Sequence, residues 1–413
     1  MSILRKNLPL GVAGLVLLAA CTGGDASPTA APETDDPGTD EAQPAETGAL
    51  SGELTVWHAY SSGGESEGIA FEDVKARIEA DNPDLTLTVL DVPFDQLFTN
   101  FQTEAAAGGG PDLFIAPNDS LGTQARAGLL LSLDDHLDEA FLGEQLQVAV
   151  DGSQVDGTFY AVPESLKAVA MFYNAATVAE PPTTTDELLA AVEDGTRVGL
   201  MQGAYHNWGW WYAFGGQVMD EGGRCVADET GVADAFAYLQ SLRDAGAEIY
   251  TDGAAFQDDF KVGNLDLIVE GPWFTGDAKT ALGDDLGVAP MPEGPGGPAQ
   301  PMTGVDGWYI NASSANPELA VAFALAMVQA ENEQIFVDTA GHIPSNANIE
   351  IADPVTLTFA EAVETGFARP QNEELNNYWA NFDNALAQLF EAGADPEQAV
   401  ADACAAMNEA NGL

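Results

Sequence analysis

The chain has 413 residues, too many for one ordinary core, and 46% hydrophobic against 19% charged residues is a globular balance, so two lobes are expected. Sixty-six Asp plus Glu face 12 Lys plus Arg, a formal net charge of -54, which excludes nucleic acid and anionic membrane surfaces as partners because both repel this sign. The acids are spread along the whole chain, as on a surface kept hydrated in salty or otherwise harsh surroundings; a patch devoted to one cationic ligand is the weaker account.

Residues 1–20 pair a short positive region, Arg5-Lys6, with an apolar stretch from Leu8 to Ala20. That stretch is too short for a comfortable membrane span and has the form of a signal peptide. It ends Leu18-Ala19-Ala20-Cys21, which resembles a bacterial lipobox. The resemblance implies cleavage before Cys21 and acylation of that cysteine, so the only membrane contact expected is through its acyl chains. From Thr22 to Leu50 the chain holds no Lys, Arg or aromatic residue. Such a tract cannot bury enough apolar surface to order itself, and residues 21–50 are expected to form a lipidated, disordered acidic tether of roughly 30 Å.

Globular sequence begins near Ser51. Glu53-Leu54-Thr55-Val56-Trp57 reads as a strand, and residues 58–64 as a loop. Residues 66–80 carry apolar positions at helical spacing and stop before Asn82-Pro83. Leu85 to Val92 alternates as a second strand, Asp95 to Ala107 is helical, and Asp112 to Ala116 is a buried strand. Strand and helix alternate, so the class is α/β with a largely parallel sheet. Later, Leu265 to Val269 reads as a buried strand broken at Gly271-Pro272, which delivers Trp273 to a carboxyl edge, where open α/β sheets hold ligands. A tryptophan there suits stacking on a sugar ring; a core ring capping the sheet would leave the same signature.

An ordered set of segments resembles the extracellular solute-binding proteins of the maltose-binding type, the substrate receptors of sugar ABC importers. It comprises Leu54-Thr55-Val56-Trp57-His58, Gly110-Pro111-Asp112-Leu113-Phe114-Ile115-Ala116-Pro117-Asn118-Asp119, Ala127 to Leu133 and Asp156 to Pro163. It continues with Met171 to Asn174, Glu270-Gly271-Pro272-Trp273, Gly287 to Pro292, Gly304 to Ile310, Asn316 to Ala320, Ala368-Arg369-Pro370 and a last helical stretch holding Trp379. The likeness covers about residues 53–410 in collinear order; no single motif is decisive, but the ordered set is specific. It implies two α/β lobes joined by hinge strands around an interlobe cleft. The first lobe would be 51–163 plus 303–345, and the second 164–302 plus 346–413. It also implies a sugar ligand, permease subunits as partners and an extracytoplasmic, lipid-anchored location.

Carried over residue by residue, the resemblance makes Asp119 an acceptor for sugar hydroxyls beside Asn118, although Ala116-Pro117 stands where the family has an aromatic residue and Ser120 where it has an arginine. An Asp that merely caps the following helix fits the same position. Tyr205 matches a sugar-contacting tyrosine, with Gly203 in place of the family's acid. It opens the cluster Tyr205-His206-Asn207-Trp208-Gly209-Trp210-Trp211, in which Trp208, nearest the turn, is expected at the cleft and at least one other tryptophan in the core. Trp379 matches the stacking tryptophan of the second lobe, with Asp383 one turn on. Trp57, His58 and Tyr60 after the first strand, and Asp306 and Trp308 on the return, border the cleft in such folds. Lys167 stands where maltose binders often carry a glutamate. Cys225 and Cys404, both assigned to the second lobe, are expected to form a disulfide in an oxidising compartment, two free thiols being the alternative.

The four histidines, His58, His136, His206 and His342, show no metal-ligand spacing, and neither a Gly-x-Ser-x-Gly elbow nor a phosphate-binding loop is present, so no metal or cofactor is expected. A glycosidase needs only two carboxylates, which makes a secreted, lipid-anchored sugar hydrolase the rival and a surface interaction module the third reading. The reading preferred is a monomeric receptor that is not an enzyme.

Overall fold

The computed structural model describes residues 49–413, apart from Gly63 and Glu221. The signal-like segment, Cys21 and nearly all of the acidic tract lie outside the described residues. Leu50, the last residue of that tract, is buried and donates its N–H to Asn82 Oδ1 at 2.6 Å, so folded structure starts before Ser51. Among the described residues, no helix is long and apolar enough to cross a membrane.

The chain opens as the alternation demands: β1 (Gly52–His58), α1 (Glu65–Asp81), β2 (Leu85–Asp91), α2 (Phe94–Ala106) and β3 (Leu113–Pro117). β2 and β3 both run parallel to β1. Helix α1 turns Ala70, Phe71, Val74 and Ile78, spaced three and four apart, into the core beneath these strands. Strand Met302–Ile310 then lies antiparallel to β3 and to strand Ala161–Lys167, and short strands 343–344 and 367–368 complete a seven-stranded sheet. A second sheet of five strands has the order 286–289, 170–174, 267–270, 198–201, 248–250. Both sheets are therefore mixed rather than largely parallel. Strands that enter from the other lobe need no helical crossover and can run in reverse, which sequence alternation does not register. Strand Ala161–Lys167 lies in the first sheet and the next strand, Ala170–Asn174, in the second.

Helix Ala204–Ala213 packs the second sheet. Trp208, Trp210 and Trp211 all vanish into its core, with Trp211 Nε1 donating to Tyr378 OH at 3.0 Å. Cys225 and Cys404 are disulfide-bonded, with Cα atoms 5.4 Å apart.

Helix α1 starts at Gly64, which has φ +146° and no side chain to cap the orphan N–H groups. The missing acceptor comes from the helix after the second sheet's strand 267–270. Asp277 takes the N–H of Glu65 at 3.0 Å and that of Ser66 at 3.2 Å. A Cβ on Gly64 would sit 2.7 Å from the same carboxylate. Asp277→Ala is expected to destabilise the protein by about 1 kcal/mol, as loss of a helix cap does, read as a lower urea midpoint with unchanged m-value.

Candidate ligand-binding site

The carboxyl ends of strands from both sheets open onto one cavity of about 800 Å³, within the range that takes a small-molecule ligand. Its first wall comes from the turn after β1 (Ala59, Tyr60, Ser62), the start of α2 (Phe94, Phe98), the end of β3 with Asp119, and Lys167, Gly304 and Asp306. Its second wall carries Met201, Tyr205, His206, Glu270, Trp273 and Trp379, and Arg369, which follows strand 367–368 of the first sheet, reaches the rings of Tyr205 and Trp379.

The second wall is aromatic. Strand 267–270 is fully buried and ends at Gly271, after which Pro272–Phe274 forms a short 3-10 turn. This turn folds the Trp273 ring back over the strand end, and a Cβ on Gly271 would lie 2.1 Å from it, so only glycine permits the arrangement. Trp273 stands half-buried with Tyr205 6.1 Å away between centroids. The Arg369 guanidinium lies 5.3 Å from the Tyr205 ring centroid and 5.4 Å from that of Trp379. Burial pulls its pKa down to about 9, which still leaves it charged at neutral pH, and Asp119 is its direct ion-pair partner.

The first wall is ionic. Lys167 Nζ donates to Glu67 at 3.0 Å and pairs with Asp306 Oδ2 at 2.8 Å, while lying 5.5 Å above the Trp273 ring. Burial would lower the Lys167 pKa, but Asp306 and Glu67 together raise it above the ordinary lysine value. Burial likewise pushes Glu67 up, and Lys167 with the His342 hydrogen bond (2.7 Å) hold it below the usual carboxylate value. Asp306 is raised because its burial outweighs the single lysine. Its Oδ1 is buried and has no hydrogen-bond partner among the described residues. On the far wall Glu270 faces His206 Nε2 at 3.3 Å.

Of the residues expected at the cleft, Tyr60, Asp119, Tyr205, Trp273, Asp306 and Trp379 meet in this cavity. The others are placed elsewhere. Trp57 packs in the core with Phe114 and Leu97 and does not line the cavity. His58 packs against Phe71 at 4.6 Å between tilted rings, and its Nδ1 accepts the N–H of Tyr60 at 3.3 Å. Trp308 is fully buried between Phe71 and Phe323. Trp208 packs edge-on against Tyr378 at 5.0 Å and beside Phe367, so nearness to the turn was no guide to its direction. Asn118 is a strut: it donates to Gly152 O, in the helix Gln147–Gly152, at 3.0 Å, and its Oδ1 accepts from Val305 N at 3.2 Å and from the Arg369 guanidinium at 3.4 Å. Asp383 accepts from Ala204 N at 2.7 Å and so caps the helix that carries Tyr205.

Glu67, Glu270, His206, Phe94 and Arg369 also line the cavity and were not marked from sequence as ligand contacts. Basic residues number only 12, so a buried lysine and a buried arginine were the available signal.

Two α/β lobes around an aromatic and ionic cavity define a two-lobed binding-protein fold. The chain belongs to the bacterial extracellular solute-binding protein family, whose model matches residues 73–365. It is 28% identical over 376 residues to the maltotriose-binding protein of Pyrococcus abyssi, covering 86% of this chain and 80% of the relative. It is 24% identical over 389 residues to the galactooligosaccharide-binding protein of Bacillus subtilis, covering 88% and 90%. The solved Thermus thermophilus maltotriose binding protein, bound with maltotriose, superposes with a TM-score of 0.78 at 28% identity, covering 86% of this chain and 99% of that one.

Proposed function

We propose that this protein binds an oligosaccharide in the cavity between its sheets, leaves it chemically unchanged and delivers it to the permease of an ABC importer. The observation that carries this reading is the pairing of an aromatic wall (Tyr205, Trp273, Trp379) with a buried ionic wall whose Asp306 Oδ1 lacks a protein donor. Flat apolar rings suit the C–H faces of pyranoses, and fixed charges suit their hydroxyls once water is excluded. The relatives' ligands make maltotriose-like α-glucans the first candidates and galactooligosaccharides the second. The lipobox-like run ending in Cys21 supports an anchored, extracytoplasmic receptor that meets the membrane through acyl chains and acts as a monomer.

The test is a thermal-shift screen of the chain lacking residues 1–20, with Cys21→Ser, against maltooligosaccharides, galactooligosaccharides, amino acids, peptides and phosphate esters. A ligand at a hundred times its Kd adds about 2.7 kcal/mol to the native state, a clear rise in Tm. A sugar hit recovered intact is the expected result. Recovery of cleaved sugar would make the protein a hydrolase, and hits confined to peptides or amino acids would overturn the sugar reading.

A further inference from the structure

We propose that Lys167 and Asp306 together read one specific hydroxyl of the ligand, and that this ion pair sets which sugar the protein accepts. The inference rests on the sugar reading above. An ammonium has three protons; two are committed to Glu67 (3.0 Å) and Asp306 Oδ2 (2.8 Å), and the third has no protein acceptor among the described residues. A buried carboxylate has two oxygens; Asp306 Oδ2 is committed to Lys167, and Oδ1 has no donor. Both residues line the cavity, and Lys167 Nζ lies 5.5 Å from the centroid of the Trp273 ring, so the ion pair that holds the spare donor and the buried spare acceptor lies beside that aromatic face.

A hydroxyl accepts and donates through a single oxygen. Seated on Trp273, it takes the Lys167 proton and gives its own to Asp306 Oδ1, completing both groups. A methyl ether at that carbon accepts from Lys167 and leaves Oδ1 buried without a donor. A deoxy carbon satisfies neither. Sites built to hydrogen-bond a hydroxyl reject analogues lacking it far more strongly than apolar pockets reject a missing methylene, because their own buried groups are left bare. Had position 167 held glutamate, the residue the sequence resemblance leads one to expect there, the donor would be missing and a third carboxylate would crowd Glu67 and Asp306. A lysine here therefore alters the hydroxyl pattern that is read.

The probe is maltotriose together with a set of maltotrioses in which each hydroxyl in turn is deleted or O-methylated, with Kd measured by titration calorimetry. At one position both deletion and methylation should weaken binding by at least about tenfold. In Asp306→Asn, which keeps the side-chain shape and leaves Lys167 paired with Glu67, the methylation penalty at that position should shrink severalfold while penalties elsewhere persist. In Lys167→Gln the deletion penalty there should shrink likewise. Penalties unchanged at every position in both variants would overturn this inference and leave the sugar reading standing. Failure of maltotriose and of every sugar in the screen to bind would overturn both.

Discussion

Replacing Trp273 with alanine is expected to weaken maltotriose binding by one to three orders of magnitude, about 1–4 kcal/mol, with the fold intact. The ring is half-buried: it packs on the edge of the second core yet lines the cavity, so truncation removes a ligand platform and little of the core. Trp273→Phe should recover part of the loss, since a smaller flat face remains. Trp379→Ala should cost at least as much. Its ring lies 5.4 Å from the Arg369 guanidinium, and that guanidinium is the ion-pair partner of Asp119, so one truncation removes a platform and loosens an ion pair. Titration calorimetry on folded variants, with circular dichroism as the control, decides the matter. Equal Kd values for wild type and both alanine variants would contradict the stacking proposal.

The alternation of strand and helix from Gly52 to Pro117 was legible because each element carries its own period and its own stop, as where α1 ends at Asn82-Pro83. The Gly271-Pro272-Trp273 turn was legible for the same local reason: a buried run broken by two residues that cannot continue it. What sequence did not reveal was direction. Trp57 and Trp308 lie on cavity-edge strands, yet both pack in the cores against the first sheet, Trp308 beyond a bulge that separates it from the cavity-lining Asp306. Trp208 sits one helical turn beyond Tyr205, far enough along the helix to pack against Tyr378 and Phe367 and not to line the cavity. Partners far apart in the chain were equally hidden: Lys167 needs Glu67 from α1 and Asp306 from the returning strand, 100 and 139 positions away, before its charge has any meaning for the cavity. Asn118 shows the same effect in reverse, a polar residue at the right edge whose side-chain hydrogen bonds go to Gly152, Val305 and Arg369.

Cutting the Cys225–Cys404 bond is expected to destabilise the protein by about 2–5 kcal/mol, the upper end following from the length of the loop it closes. The two cysteines are 179 positions apart, so the link removes a large part of the unfolded chain's freedom. In the native state it ties the segment after the tryptophan-rich helix to the last helix, Pro396–Asn411, where Asn408 Oδ1 also accepts the N–H of Cys225 at 2.7 Å. Both sulfurs are buried in the apolar core of the second sheet, so alanine is the replacement that leaves no bare polar group behind. Cys225→Ala with Cys404→Ala should unfold at a lower urea concentration than the oxidised protein. The reduced wild type should shift in the same direction. Below the transition, maltotriose affinity should be unchanged, because neither cysteine lines the cavity. Matching urea midpoints for oxidised, reduced and double-alanine protein would mean the bond constrains nothing that the surrounding core does not already hold. A loss of affinity without a loss of stability would instead tie the last helix to the geometry of Trp379.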